Sequence, residues 1–250
     1  MTTRRTQRSR KRPPAGTVCY LCGKTINEDE TWNLDHVPPQ RIFASAFRTR
    51  FDPQLDWLDT HAGCNGDYQK DEDYFVVSFA GHVQTPTAQA VFHDLGTVAE
   101  KGHSIGLVMD AIGRFGRVEG PNGELVATWE RGRVHRFLWK IVRGLYTLET
   151  DRLLPERPLG HIRILSPNQE PEPLAETAWF PAVRDTEPMG TYGKVFDYQW
   201  LGWKEGELRA HAFAMLFWDG LQVVLLFHDP QCRCGQCAPV EPGASVPPRN

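Results

Sequence analysis

The sequence has no apolar run close to the roughly 20 residues that a membrane-spanning helix needs. No apolar stretch follows the basic N-terminus either, so the pattern of a secretory signal is missing. These two absences predict a cytoplasmic protein with no membrane partner. The 250 residues are 40% hydrophobic and 24% charged, which is typical of a folded globular chain rather than a disordered or fibrous one.

Charge is unevenly distributed along the chain. Residues 1–12 contain six basic residues and no acidic one, whereas the remainder contains 22 basic and 31 acidic residues. We expect residues 1–17 to form a flexible basic arm, because they have no apolar pattern with which to fold. Such an arm either holds phosphate backbones without reading their sequence or is a solvated tail.

The six cysteines lie in two clusters at opposite ends, which is not the pattern of a disulfide framework. In the first cluster, Cys19 and Cys22 are followed by His61 and Cys64. Two pairs at this spacing supply the four nitrogen and sulfur ligands of a closed structural zinc site. The sequence therefore predicts a compact zinc-stabilised unit over residues 18–82.

The second cluster contains His228, Cys232, Cys234 and Cys237. These four soft ligands are compatible with a second structural zinc site. The alternative is that residues 231–250 are a loose Cys- and Pro-rich tail with reactive thiols.

An α+β accessory region is predicted between the two clusters, over residues 83–230. Its helices and strands follow from apolar periodicity and from Gly and Pro at the turns. We predict helices at 86–102 and 131–149, paired strands within 112–129, a strand at 161–165 and a hairpin over 210–229 that turns at Asp219-Gly220. A further helix, at 71–82, is predicted at the end of the zinc-stabilised unit.

Four motifs in the first part of the chain resemble those of the HNH endonuclease family. They are CYLC at 19–22, DHVPP at 35–39, HAGCN at 61–65, and Lys70 followed by DEDYF at 71–75. KIVRGLY at 140–146, YGKVFDY at 192–198 and the final hairpin are similar to segments of the same bacterial group. The later segments indicate shared ancestry and explain no chemistry.

The resemblance implies a ββα-metal fold, related to the treble clef, in which zinc supports a catalytic Mg²⁺ or Mn²⁺ site. His36 matches the general base that activates water, and Asp35 and Asn65 match ligands of the catalytic cation. Carboxylate and amide oxygens suit such a cation, and a neutral imidazole near pH 7 suits a base. Adjacent residues on a strand point to opposite sides unless the backbone bends, which applies to Asp35 and His36.

The chain departs from the family pattern at two points. His61 stands where the group usually has a cysteine, and the middle asparagine that orients the base has no clear counterpart. Asp56 and Asp59 lie in the right stretch, and either could orient His36. Lys70 and Arg41 are candidate phosphate contacts, with solvated surface charge as the alternative.

The expected function is therefore a divalent-metal-dependent endonuclease that hydrolyses DNA phosphodiester bonds. One alternative is a catalytically inactive, zinc-stabilised nucleic-acid-binding protein of the same ancestry. Another is a protein-interaction module, which would show no salt-dependent binding to nucleic acid. The accessory region could select substrate, form a homodimer or respond to a signal.

Overall fold

The computed structural model describes residues 13–51, 55–100, 129–155, 158–165 and 190–237, together with residue 106 and the pairs 118–119 and 125–126. Most of the basic arm expected at 1–17 lies outside these residues, as do the last two residues of the helix expected at 86–102, most of the paired strands expected within 112–129, and residues 238–250. Among the helices of the described ranges, none combines the length and apolar character required to cross a membrane.

The described residues form four α-helices and three antiparallel sheets, which confirms the α+β class. The helices are α1 (Ser45–Phe51), α2 (Ala62–Ala80), α3 (Pro86–Glu100) and α4 (Arg131–Thr150). The strands are β1 (Trp32–Val37), β2 (Asp56–His61), β3 (Val118–Glu119), β4 (Leu125–Val126), β5 (Gly160–Leu165), β6 (Gly190–Thr191), β7 (Phe196–Glu205), β8 (Leu208–Phe217) and β9 (Leu221–His228).

An antiparallel hairpin followed directly by a helix makes up the N-terminal part. Strand β1 pairs with β2 in a register that sets His36 opposite Trp57 and Asp35 opposite Leu58. His61 ends β2 and is also the residue that precedes the first turn of α2. The hairpin and the helix are therefore joined at a candidate metal ligand. This places Asn65 of α2 close to β1.

The larger sheet has the strand order β5-β9-β8-β7-β6, with every neighbouring pair antiparallel. The predicted β8–β9 hairpin is confirmed, but its turn lies one residue earlier than Asp219-Gly220. Positive φ angles occur at Trp218 (54°) and Asp219 (58°). Trp218 is fully buried and donates its indole N–H to the carbonyl of Ile42 at 2.8 Å, so tertiary packing determines where the turn falls.

Helix α4 packs between the hairpin and the large sheet. Its apolar stripe is buried as predicted, and Tyr146 and Trp139 form ring contacts with Phe227 of β9. On the other side, a Cβ atom added to Gly144 would lie 2.7 Å from a methyl group of Val37. Only glycine allows α4 to approach β1 this closely. The main core cluster includes residues of α2, α3, α4 and the large sheet.

Candidate functional site

The first candidate metal centre combines Cys19, Cys22, His61 and Cys64, whose ligand atoms lie within 4.8 Å of one another. The Sγ atoms of Cys22 and Cys64 lie 3.4 and 3.8 Å from His61 Nδ1. A tetrahedral ion with metal–sulfur bonds of about 2.3 Å fits between ligands at these separations. The expectation that these four residues converge is confirmed, and together they could hold a metal ion.

The thiols of this centre have strongly different affinities for protons. Burial raises the pKa of Cys19, but hydrogen bonds from Thr60 and the backbone of His61 outweigh it and lower the pKa to about 6. Burial, together with the negative charge on Cys19, raises the pKa of Cys64 to about 12. A cation between the sulfur atoms would relieve this repulsion, because thiolates are the metal-binding form.

Glu30 supports the histidine ligand from outside the centre. Its Oε2 atom lies 3.3 Å from His61 Nε2 and accepts a hydrogen bond from the backbone N–H of Asn27 at 2.7 Å. A carboxylate on Nε2 fixes the tautomer whose Nδ1 lone pair faces the metal. The sequence does not predict this role for Glu30, because a loop position before β1 carries no periodic signal.

The second candidate centre lies at the end of β9. His228 Nδ1 is 3.5 Å from Cys232 Sγ, 3.4 Å from Cys234 Sγ and 3.0 Å from Cys237 Sγ. Burial raises the pKa of Cys232, but hydrogen bonds from the Arg209 N–H and neighbouring groups lower it to about 6. Cys232, Cys234 and Cys237 thus lie in the turns after β9 and approach His228, so these four residues too could hold a metal ion.

A buried ion cluster lies where β1, α2 and α4 meet. The ammonium Nζ of Lys140 is 2.9 Å from Asp35 Oδ2 and 2.8 Å from Asn65 Oδ1, and it also binds Glu72 Oε1. Lys140 is 1% exposed. Burial disfavours the ammonium, but the charges of Asp35 and Glu72 outweigh burial and raise the pKa of Lys140.

The two predicted cation ligands, Asp35 and Asn65, are therefore side by side and bind one cation. That cation is the ammonium of Lys140. Two carboxylates and an amide form a donor set of the kind that Mg²⁺ and Mn²⁺ accept. The donors fit such an ion chemically, but the point on which they converge is filled.

His36 faces away from this cluster. Its ring packs on Trp57 with centroids 3.7 Å apart, and the side-chain nitrogen of Gln40 lies 3.0 Å from its Nε2. Asp35 instead accepts a hydrogen bond from the hydroxyl of Tyr20 at 2.5 Å. The two residues thus point to opposite faces of β1, as straight strand geometry requires. The side-chain amide next to His36 is thus that of Gln40, a contact that no sequence motif predicts.

Comparisons with protein-family models, with curated proteins and with solved structures found no match for this chain.

The candidates for orienting His36 lie on different faces of the hairpin. The register pairs Asp56 with Val37, on the Asp35 face, and pairs Asp59 with Leu34, on the His36 face. By register, Asp59 is therefore the candidate on the same side as His36.

The candidate phosphate contacts differ in their surroundings. Arg41 forms an ion pair with Asp73, whereas Lys70 is exposed on α2 and its carbonyl accepts a hydrogen bond from Arg133. The ion pair reduces the freedom of Arg41 to bind a phosphate, because that contact would have to compete with Asp73.

The resemblance assigns no chemical role to the KIVRGLY segment at 140–146. In the structure, two of its residues contact the N-terminal unit. Lys140 forms the buried cluster, and Arg143, which is 2% exposed, donates hydrogen bonds to the carbonyls of Tyr20 and Leu21 and to that of Leu154. The sequence feature that could have indicated these contacts is a lysine and an arginine inside the otherwise apolar stripe of α4. Charged residues at such positions are buried only with partners.

Proposed function

We propose that this chain is an HNH-type endonuclease that hydrolyses phosphodiester bonds of DNA with its N-terminal ββα unit. The observation that carries the proposal is that Asp35 and Asn65, on different elements, bind the same cation. That is the position at which the HNH resemblance expects a divalent ion. The hairpin–helix order of β1, β2 and α2 supports the same reading.

Zinc is the metal we propose for both candidate centres, because their ligands are imidazole and thiolate only. In the first centre, His61 and Cys64 flank the start of α2, and Cys19 and Cys22 lie on the preceding knuckle. These residues would hold a zinc ion that joins the start of α2 to the knuckle, which would fix the position of Asn65 relative to β1.

His36 is the proposed general base. Packing on Trp57 and the amide of Gln40 hold its ring in one orientation. A neutral imidazole near pH 7 can take a proton from a water molecule that attacks phosphorus, as the P–O bond to the leaving sugar oxygen breaks and that oxygen takes a proton from solvent. Asp35 and Asn65 would hold the divalent ion, which supplies charge stabilisation at the phosphate oxygens when bound.

Nucleic-acid binding without cleavage is the second candidate, and two observations favour it. Lys140 fills the point where the cation ligands converge, and His36 faces the opposite side of β1 from Asp35. A chain fixed in this arrangement would bind nucleic acid and cut nothing. The basic arm at residues 1–17 would then contribute salt-dependent affinity for phosphates.

Cleavage of supercoiled plasmid in the presence of Mg²⁺ or Mn²⁺ tests the two candidates. We expect nicking by the wild type and by His93→Ala, an exposed histidine of α3, and no nicking by His36→Ala. Equal nicking by wild type and His36→Ala would overturn the role of His36. Salt-dependent binding with no nicking by any variant would favour the second candidate.

A further inference from the structure

Asp35, Glu72 and Asn65 converge on the ammonium of Lys140, and their oxygen atoms form a donor set that a divalent cation would accept. Asp35 is 5% exposed, the side chain of Glu72 is 12% exposed, and both contact the same ammonium. Two buried carboxylates need a cation, since an unpaired buried charge is strongly destabilising. Lys140 meets that need from a helix that lies outside the HNH-like unit.

We propose that Lys140 is an internal competitor for the divalent cation, so that its ammonium and a metal ion are mutually exclusive occupants of the Asp35–Glu72–Asn65 cluster. This rests on the proposed function only for the location of the cation site, and it does not require cleavage. In the structure, the ammonium of Lys140 is the occupant of this cluster.

Distance makes the two occupants exclusive. Mg²⁺ and Mn²⁺ bind oxygen at about 2.0–2.2 Å, so an ion that used all three donors would lie at the point now held by Nζ. The ammonium is 2.8–2.9 Å from Asn65 and Asp35. Both cations cannot fit between the same oxygen atoms, and their like charges repel.

Contacts of residues close to Lys140 in sequence hold the backbone of α4 in place, so the helix cannot easily move Lys140 out of the cluster. Gly144 touches Val37 of β1, and Arg143 is bound to the carbonyls of Tyr20 and Leu21. Release therefore requires the four-carbon side chain itself to rotate, which the flexible lysine stem permits. Asn65 and Glu72 each keep a small exposed fraction, 12% for the Glu72 side chain, so the cluster borders solvent on their side.

Binding of Mn²⁺ to zinc-saturated protein tests the proposal without any activity measurement. The free Mn²⁺ signal in electron paramagnetic resonance gives the affinity for wild type, Lys140→Met and Lys140→Arg. We expect Lys140→Met to bind Mn²⁺ at least about tenfold more tightly than wild type, because the like charge is gone. Lys140→Arg keeps a cation and should bind as weakly as wild type. The double variant Lys140→Met/Asp35→Asn should lose the gain.

Thermal unfolding gives a second readout if Lys140→Met is unstable. Its carboxylates lack a counter-ion, so Mn²⁺ should raise its Tm by more than it raises the wild-type Tm. Lys140→Gln, which can still donate a hydrogen bond to Asp35, serves as a milder variant for the same titration.

The proposal is overturned if Lys140→Met and Lys140→Gln bind Mn²⁺ no more tightly than wild type does. Its failure is separable from that of the proposed function. A Mn²⁺ gain in Lys140→Met without plasmid nicking by any variant would support the exchange and overturn the nuclease.

Discussion

Arg143 of α4 donates a hydrogen bond from its guanidinium to the carbonyl of Leu21 in the Cys19–Cys22 knuckle. A second bond from the same nitrogen reaches the carbonyl of Tyr20 at 3.2 Å. A helix of the predicted accessory region thus holds the knuckle of the first candidate metal centre.

Arg143→Met should destabilise the protein by about 3 kcal/mol, because buried carbonyls lose charged hydrogen bonds. It should also speed loss of metal to a chelator, since the knuckle is no longer held by α4. Urea unfolding and chelator kinetics measure the two effects. Lys204→Met, at an exposed position of β7, is the control that should change neither. Unfolding of Arg143→Met at the wild-type urea concentration would contradict the prediction.

Gly144→Ala should destabilise by about 1–3 kcal/mol, because its methyl group would collide with buried Val37. Gly132 lies in the first turn of the same helix, and an added Cβ atom there has no neighbour within 4 Å. Gly132→Ala should therefore stabilise by up to about 1 kcal/mol through helix propensity alone. Equal effects of the two substitutions in urea unfolding would rule out close packing of α4 on β1.

Glu30→Gln should weaken zinc binding at the first centre by about 10–100-fold, because the amide no longer anchors His61 Nε2 as a carboxylate does. Competition with a chromophoric chelator gives the affinity. Glu28→Gln, at an exposed position of the same loop, should keep wild-type affinity. If both variants bind zinc equally, Glu30 has no role at this centre.

Purified protein should contain two zinc ions per chain by atomic emission, one for each tetrad. Cys22→Ala should lose one ion and the cooperative fold of the N-terminal unit, because the ion holds its small core together. Cys237→Ala should lose the other ion. Unchanged melting and zinc content in Cys22→Ala would exclude a structural zinc site at the first tetrad.

Acid should destabilise the large sheet through His211. Burial lowers the pKa of this histidine below 6.5, and this outweighs the opposing effect of Asp229. The unfolded chain therefore takes up a proton at a higher pH than the folded chain. Stability should fall as pH drops below about 6.5. His211→Gln should lose less free energy of unfolding between pH 7 and 5.5 than wild type, and His93→Gln should match wild type.

Local pattern determined much of this fold. The Cys-x2-Cys and His-x2-Cys spacings predicted both the members of the first tetrad and their convergence, because short knuckles position ligands through their own backbone. The stripe of α4 and the β8–β9 hairpin also followed from periodicity. The Trp218 turn did not, because burial of its indole against Ile42 outweighed the preference for Asp-Gly.

Tertiary structure alone determined which distant residues contact the candidate catalytic residues and the first metal centre. Asp35 and Lys140 are 105 positions apart, and nothing in the local pattern of either residue names the other. Glu30 meets His61 across 31 positions, and Arg143 meets Leu21 across 122. Periodicity reports which face of an element is buried. Which charge compensates a buried charge depends on how elements pack, and here the packing of α4 on β1 and α2 set Lys140 between the predicted cation ligands.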